Sequence, residues 1–185
     1  MFDANGPEDQ TTVDNGFINP ENELTPLVDD TNDFDKIKLS KGLRIAHLNI
    51  NGLHSKIDEV RVLVNRTKID ILAISESKLN SNISDGDIEI ENYKLYLLDR
   101  DTNGGGVAIY VTLSLSSVDH PNKLSNKHFE SLWIKVKLKK CKAIHLCVTY
   151  RTPSVKNPLN FTKDLCDYLR TCLLKLPKGA EVIFF

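Results

Sequence analysis

Polar residues that can bind a metal ion or a phosphate follow three apolar segments of the chain. Asn49 and Asn51 lie in LNINGL, Glu76 lies in ISESKL, and Tyr150 and Arg151 lie in VTYRTP. A single carboxylate suits Mg²⁺, which keeps several waters and takes one or two protein carboxylates together with substrate oxygens. An amide binds a phosphate oxygen without adding negative charge, and a phenol donates a hydrogen bond to one.

Each of these residues also has an ordinary structural interpretation. Asn51 and Gly52 form a common turn dipeptide, Glu76 fits the acidic start of a helix, and Tyr150 fits an aromatic at the end of a strand. The chemical interpretation gains support if the three segments are neighbouring strands of one sheet. In that case Asn49, Glu76 and Tyr150 converge on one rim.

The hydrophobic pattern predicts an α/β protein. Residues 43–50 and 69–75 are predicted strands, and a helix that begins at Ser55 is predicted between them. Asp58 lies three residues after Ser55 and would form a capping box with it. In 131–138 apolar residues alternate with polar or exposed partners, which favours a half-buried strand. The other predicted strands are 93–100, 106–115, 142–150 and 180–185. The second predicted helix is 158–176. Within 158–176 the predicted apolar face consists of Leu165, Leu169, Cys172, Leu173 and Leu176.

Charge divides the chain into two parts. Ten of the 25 acidic residues, and no Lys or Arg, lie in 1–35. The rest carries all 24 Lys and Arg against 15 acidic residues, a net charge of +9. We therefore expect an acidic, disordered tail over 1–40 and a basic folded domain over 41–185. The basic charge fits a protein that handles phosphates, although a solvated surface explains it equally well.

Targeting signals are not visible in the sequence. The apolar runs fall short of the roughly 18 residues of a membrane span, and the amino terminus carries neither a basic nor an apolar signal region. We expect an intracellular protein, nuclear or cytoplasmic and not secreted, without a membrane partner.

Four segments taken in order carry a family resemblance. RIAHLNINGL, IDILAISESKL, GGGVAIYV and VTYRTP closely resemble the endonuclease/exonuclease/phosphatase superfamily, over roughly 43–185. The nearest branch is the apurinic-type endonuclease domain of non-LTR retrotransposons. The resemblance implies a DNase I-like, two-sheet α/β sandwich, here truncated at the carboxyl end. Gly104, Gly105 and Gly106 then form a turn and strand entry, and no phosphate-cradling loop.

The same resemblance implies the roles of the polar residues. Asn49, Glu76 and Tyr150 are the catalytic residues, Glu76 is the ligand of Mg²⁺ or Mn²⁺, and Asn51 and Arg151 bind the substrate. The implied reaction is hydrolytic nicking of DNA.

Segments that the resemblance leads us to expect are missing from the chain. Family members follow the equivalent of VIFF with GDFN, and further on with an Asp-His pair. None of the five histidines replaces that pair by its motif. We therefore expect at most trace activity, and we expect the rest of the domain, and a downstream reverse transcriptase, as partners. The alternatives are a non-catalytic remnant or interaction module, or a phosphatase-like or sphingomyelinase-like member of the superfamily.

Overall fold

The computed structural model describes residues 41–98, 105–115, 118–119, 123–138, 140–151 and 156–185. All of them belong to one unit of the chain, Thr31–Phe185. The predicted tail over 1–40, Gly104 with most of the turn before it, and Pro153 of VTYRTP lie outside the described residues.

Eight strands and two α-helices make up the described part of the chain. The strands are β1 Ile45–Asn49, β2 Ile71–Ser75, β3 Tyr93–Leu98, β4 Val107–Thr112, β5 Val118–Asp119, β6 Ser131–Val136, β7 Ile144–Thr149 and β8 Glu181–Phe184. The helices are α1 Ile57–Thr67 and α2 Pro158–Lys175, with short 3₁₀ turns at His54–Lys56 and Asp85–Ile88.

The strands form two four-stranded mixed sheets. The first sheet has the order β1-β2-β4-β3, and the second has the order β5-β6-β7-β8. β1 is parallel to β2, and β7 is parallel to β8, whereas the remaining pairs are antiparallel. The carboxyl ends of β1 and β2 therefore lie at one edge, as do those of β7 and β8.

Three apolar layers hold the two sheets and two helices together. The middle layer joins the inner faces of the sheets, where Ile71 and Ile109 pack with Leu132 and Leu146. On one outer face α1 packs against β2, and on the other α2 packs against β6 and β7. Every residue of β2 is buried because this strand is covered on both sides. This is the predicted two-sheet α/β sandwich.

Two local predictions are wrong. Ser55 does not cap α1 with Asp58, because the residues before the helix form a 3₁₀ turn in which the Ser55 hydroxyl donates to the Gly52 carbonyl. The second face of β6 is not exposed, because α2 covers it and leaves Trp133 fully buried.

The apolar face predicted for α2 is only partly correct. Cys172 is buried, and Leu169 and Leu176 pack against the third layer, but Leu173 is 43% exposed. Tyr168 takes part in the packing instead, because its hydroxyl accepts from the Trp133 indole at 3.2 Å.

Candidate active site

Three predicted site residues meet where strands of both sheets end. Asn49 is the last residue of β1, Glu76 directly follows β2, and Tyr150 directly follows β7. Asn49 Nδ2 donates to Glu76 Oε1 at 2.9 Å, and the Tyr150 hydroxyl donates to the same oxygen at 2.7 Å. The three strands do not belong to one sheet, because β7 lies in the second sheet. The side chains converge because the sheets pack face to face.

Glu76 is the charged centre of this cluster. Its side chain is 19% exposed, and Lys78 Nζ lies 3.7 Å from Oε2. The hydrogen bond from Asn49 lowers the pKa of the Glu76 carboxyl most, and the bond from Tyr150 and the charge of Lys78 lower it further. All three favour the ionised form, so Glu76 is a carboxylate at neutral pH.

The two residues predicted to bind substrate lie beside the cluster. Lys78 Nζ donates to Asn51 Oδ1, so this lysine connects Asn51 with Glu76. Arg151 is exposed and follows Tyr150 in the chain. Within the part of the chain that the structure describes, no hydrogen bond or ion pair joins Arg151 to Glu76.

The backbone under the cluster is held by hydrogen bonds beyond the ends of the strands. The Gly52 amide donates to the Glu76 carbonyl at 2.8 Å, and the Lys78 amide donates to the Gly105 carbonyl at 2.8 Å. Asn51, Glu76 and Lys78 all have positive φ, at 51°, 56° and 51°. Residues other than glycine rarely adopt this backbone conformation unless the surrounding structure imposes it, and such residues concentrate at functional sites.

Glu130 links the two sheets below the cluster. It is only 5% exposed, and its carboxylate accepts from the Gly106 amide at 2.6 Å. Its backbone carbonyl accepts from the Tyr150 amide at 3.3 Å. One buried residue therefore fixes the strand entry that holds Lys78 and also the backbone of Tyr150.

Sequence reasoning missed Lys78 and Glu130. Lys78 carried a usable signal, because it lies two residues after Glu76 at the end of a buried strand. Glu130 carried none, since an acid before an apolar strand is common and its burial depends on the distant Gly105 and Gly106.

A second layer of contacts lies one step down β1 from the cluster. His47 Nε2 lies 3.2 Å from the Ser75 hydroxyl, and the imidazole stacks on the Phe185 ring with centroids 5.5 Å apart. These contacts join β1, β2 and the end of β8 below Asn49, and they hold the rim of the first sheet against the second.

The side-chain oxygens of the cluster that are free of the Asn49 and Tyr150 bonds are suitable ligands for a hard divalent ion. Glu76 Oε2 accepts neither the Asn49 nor the Tyr150 bond, and Asn49 keeps Oδ1 because it donates through Nδ2. Carboxylate and amide oxygens suit Mg²⁺ or Mn²⁺. The described residues contain no group of three His, Cys, Asp or Glu side chains able to hold a metal. The residues present therefore fit an ion that keeps several of its waters.

Comparison of the fold with solved structures gives consistent results. An AP endonuclease from Archaeoglobus fulgidus matches with a TM-score of 0.55 and 18% identity, over 77% of this chain and 56% of its own. The chain has the DNase I-like fold of this structure. Two further structures, the endonuclease domain of the telomere-specific non-LTR retrotransposon TRAS1 and the 3′ phosphatase NExo from Neisseria bound to a product DNA hairpin, match with TM-scores of 0.57 and 0.54.

These structures share the fold of this chain but little of its sequence. TRAS1 and NExo are 15% and 16% identical, and each matches 77% of this chain, which covers 57% and 56% of theirs. No family model and no curated protein matches the sequence. The chain thus spans little more than half the length of the structures it resembles, and the likeness establishes the fold.

The described helices were also compared with the requirements of a membrane span. Neither α1 nor α2, nor any other helix in the described ranges, combines the length and apolar character needed to cross a bilayer.

Proposed function

We propose that this chain contributes part of a divalent-metal-dependent phosphodiesterase site that acts on DNA. The observation that carries the proposal is the meeting of Asn49, Glu76 and Tyr150 on one carboxylate oxygen, from strands of two different sheets. Two donors on Oε1 orient the carboxylate and leave Oε2 turned towards Lys78.

Each residue has a distinct role in this proposal. Glu76 holds Mg²⁺ or Mn²⁺ through Oε2, and Asn49 offers Oδ1 to the ion or to the attacking water. A bound divalent ion neutralises phosphate charge and lowers the pKa of water. Tyr150 orients Glu76, and because its hydroxyl has one proton, it would donate to a phosphate oxygen only in exchange for the bond to Glu76. Asn51 and Arg151 bind the nucleic acid on either side of the cluster.

DNA is the substrate that charge and fold favour. The chain beyond residue 35 has a net charge of +9, which attracts a polyanion. The superfamily members with this fold include nucleases and a phosphatase bound to DNA. A retrotransposon origin for this chain is part of the proposal, supported by the motif resemblance and the fold of TRAS1.

The proposal also predicts at most trace turnover by the chain alone. Glu76 is the only acid among the three side chains that meet in the cluster, and because the proposal assigns its carboxylate to the metal, none of the three is left to act as a general base. Supercoiled plasmid incubated with Mg²⁺ tests this directly. Nicking well above that of an Asn49→Ala variant would contradict the prediction of trace activity while supporting the site.

Binding provides the test that does not depend on turnover. Fluorescence anisotropy with a labelled duplex carrying an abasic-site analogue is measured in Mg²⁺ and in EDTA at matched ionic strength. We expect Mg²⁺ to strengthen wild-type binding about tenfold and to have no effect on Glu76→Gln. Glu59→Gln is the matched control, because Glu59 is an exposed acid on α1 and carries the same charge. A Mg²⁺ effect that survives in Glu76→Gln contradicts the proposal.

A further inference from the structure

A cavity lies on the outer face of the second sheet, at the opposite end of β7 from Tyr150. Its volume is about 240 Å³, and its walls include Lys135 of β6, His145 of β7, Lys142, and Lys178 and Gly179 from the α2–β8 connection. His145 precedes Tyr150 by five residues, which corresponds to about 17 Å along an extended strand.

The charge lining this cavity has one sign. Three lysines contribute to the walls and no acidic side chain does. Lys142 Nζ donates to the Gly179 carbonyl at 3.5 Å, which places the ammonium over the cavity. Among the residues that the structure describes, Lys135 and Lys178 form no ion pair. Three lysines therefore line this cavity, and none of the described residues that line it supplies a counter-charge.

His145 supplies an independent observation. The residue is 4% exposed, and its Nδ1 has no hydrogen-bond partner. The Glu181 backbone lies near the imidazole and raises its pKa. Buried polar atoms without a partner are rare and destabilising, and His145, which carries one, is also among the residues that line the cavity.

We propose that this cavity, lined by Lys135, Lys142, Lys178 and His145, binds a phosphate group. Lysine binds phosphate as a point charge, and three lysines match a dianion. The volume lies below the roughly 300–1,000 Å³ of pockets for drug-sized ligands, so a small anion or a single phosphate of a larger molecule fits. The lysine ammonium groups bind the phosphate, and the buried His145 beside them responds to its charge.

The groups around His145 make the binding measurable at this residue. Burial lowers the pKa of the His145 imidazole most, and the charge of Lys135 lowers it further, whereas the bond to the Glu181 backbone raises it. Lys142 and Lys178 add positive charge from the other walls. A bound phosphate offsets these charges, and the pKa of His145 therefore rises when phosphate binds.

The experiment is an NMR titration of the full chain with inorganic phosphate, following the His145 imidazole resonances against sodium chloride of matched ionic strength. We expect a saturable shift and a pKa of His145 that rises with phosphate. Lys178→Gln, an exposed loop substitution that spares the core, should weaken phosphate binding about threefold, the size of an exposed charge pair. Lys163→Gln on the exposed face of α2 is the matched control and should leave the affinity unchanged.

Two further titrations distinguish the sources of the phosphate. A DNA oligonucleotide without terminal phosphates that produces the same His145 shift identifies the nucleic-acid backbone as the ligand. A shift with inorganic phosphate alone identifies the free anion. A non-saturating response equal to that of chloride, or equal affinities of wild type and Lys178→Gln, overturns the proposal. These readouts are independent of Glu76, so the Mg²⁺ site and this cavity stand or fall separately.

Discussion

The polar groups at the two ends of β7 differ in whether they have hydrogen-bond partners. At the carboxyl end the Tyr150 hydroxyl donates to Glu76, which also accepts from Asn49 and faces Lys78. Near the amino end, Nδ1 of His145 is buried without a partner and is surrounded by lysines. The first group lies on the inner face of the sheet, between two sheets, and the second lies on the outer face.

The difference shows two ways in which a fold prepares a binding site. At the rim, side chains from two sheets satisfy one another and fix the orientation of a carboxylate, so a ligand finds the charge already placed. In the outer cavity the described residues leave one buried atom without a partner and place no acid among the three lysines, so in our proposal a ligand supplies the counter-charge. Substitutions that disturb the rim should therefore affect stability more than substitutions in the cavity.

The largest effect is expected from a methyl group at the base of the rim. Gly105 has a φ of +78°, and a Cβ there collides with the Glu130 carboxylate. We expect Gly105→Ala to lower the free energy of unfolding by about 3 kcal/mol, from left-handed strain together with displacement of Glu130. Urea unfolding measures the change.

Gly179 in the outer cavity provides the matched control. Its φ is +75°, but a Cβ there meets only Lys142 Nζ, at an ordinary 3.7 Å. Gly179→Ala should therefore cost only the backbone strain, about 1 kcal/mol. Equal losses for the two variants would show that the Glu130 contact does not hold the rim.

Removal of the Tyr150 hydroxyl should have the next largest effect. Tyr150→Phe breaks a hydrogen bond to a charged acceptor and should cost about 1.5 kcal/mol at pH 7. Because the folded-state pKa of Glu76 lies below its unfolded value of 4.5, the stabilisation is present above pH 4.5 and is lost as the pH falls through the folded-state pKa. The stability difference between wild type and Tyr150→Phe should shrink accordingly in acid.

Tyr93→Phe is the comparison for this substitution. The Tyr93 hydroxyl donates to the uncharged Ile69 carbonyl, so its removal should cost about 1 kcal/mol and should show no such dependence on pH. A Tyr150→Phe loss that stays constant from pH 7 to pH 3 would argue against a bond to an ionised Glu76.

The outer cavity predicts a pH dependence near neutrality. The folded-state pKa of His145 is below its ordinary value of 6.5, so the unfolded chain binds more protons between these two values. Stability contributed by neutral His145 is present above pH 6.5 and is lost as the pH falls towards the folded-state pKa. Between pH 8 and pH 5.5, the melting temperature should decline less for His145→Gln than for the wild type. A larger decline in the variant would contradict the assignment.

The smallest effect is expected at Lys78. Its side chain is 40% exposed, and its nitrogen lies 3.7 Å from Glu76 Oε2, the geometry of a weak surface pair. Lys78→Gln should change the free energy of unfolding by about 0.5 kcal/mol or less. Urea unfolding at low and high salt checks this, since a change that persists in high salt would indicate that Lys78 acts through Asn51 instead.

Much of the fold was predictable because the spacing of apolar residues along the sequence follows the periods of strands and helices. The apolar run of 69–75 predicts a strand covered on both faces, and β2 is such a strand, buried at every residue. The alternation around Trp133 was misleading because burial of the second face of β6 depends on α2, which lies far along the chain. The prediction of a capping box at Ser55 was wrong because the residues before α1 form a 3₁₀ turn.

The candidate site was predictable in its residues and less so in its architecture. Asn49, Glu76 and Tyr150 stand at strand ends that the hydrophobic pattern marks, so their types and positions were visible. The sequence does not show that β7 lies in the opposite sheet, or that Glu76 adopts a left-handed backbone conformation. Both depend on contacts between distant segments, including the Glu130 bond to Gly106.

The most direct test of the central claim is paramagnetic broadening by substoichiometric Mn²⁺ in the NMR spectrum of the full chain. If Asn49, Glu76 and Tyr150 surround a divalent-ion site, the side-chain amide of Asn49 and the ring of Tyr150 broaden first. Glu76→Gln should abolish this selectivity. Broadening centred on another acidic segment, such as the turn at Asp85–Ile88, or unchanged in Glu76→Gln, would contradict the account.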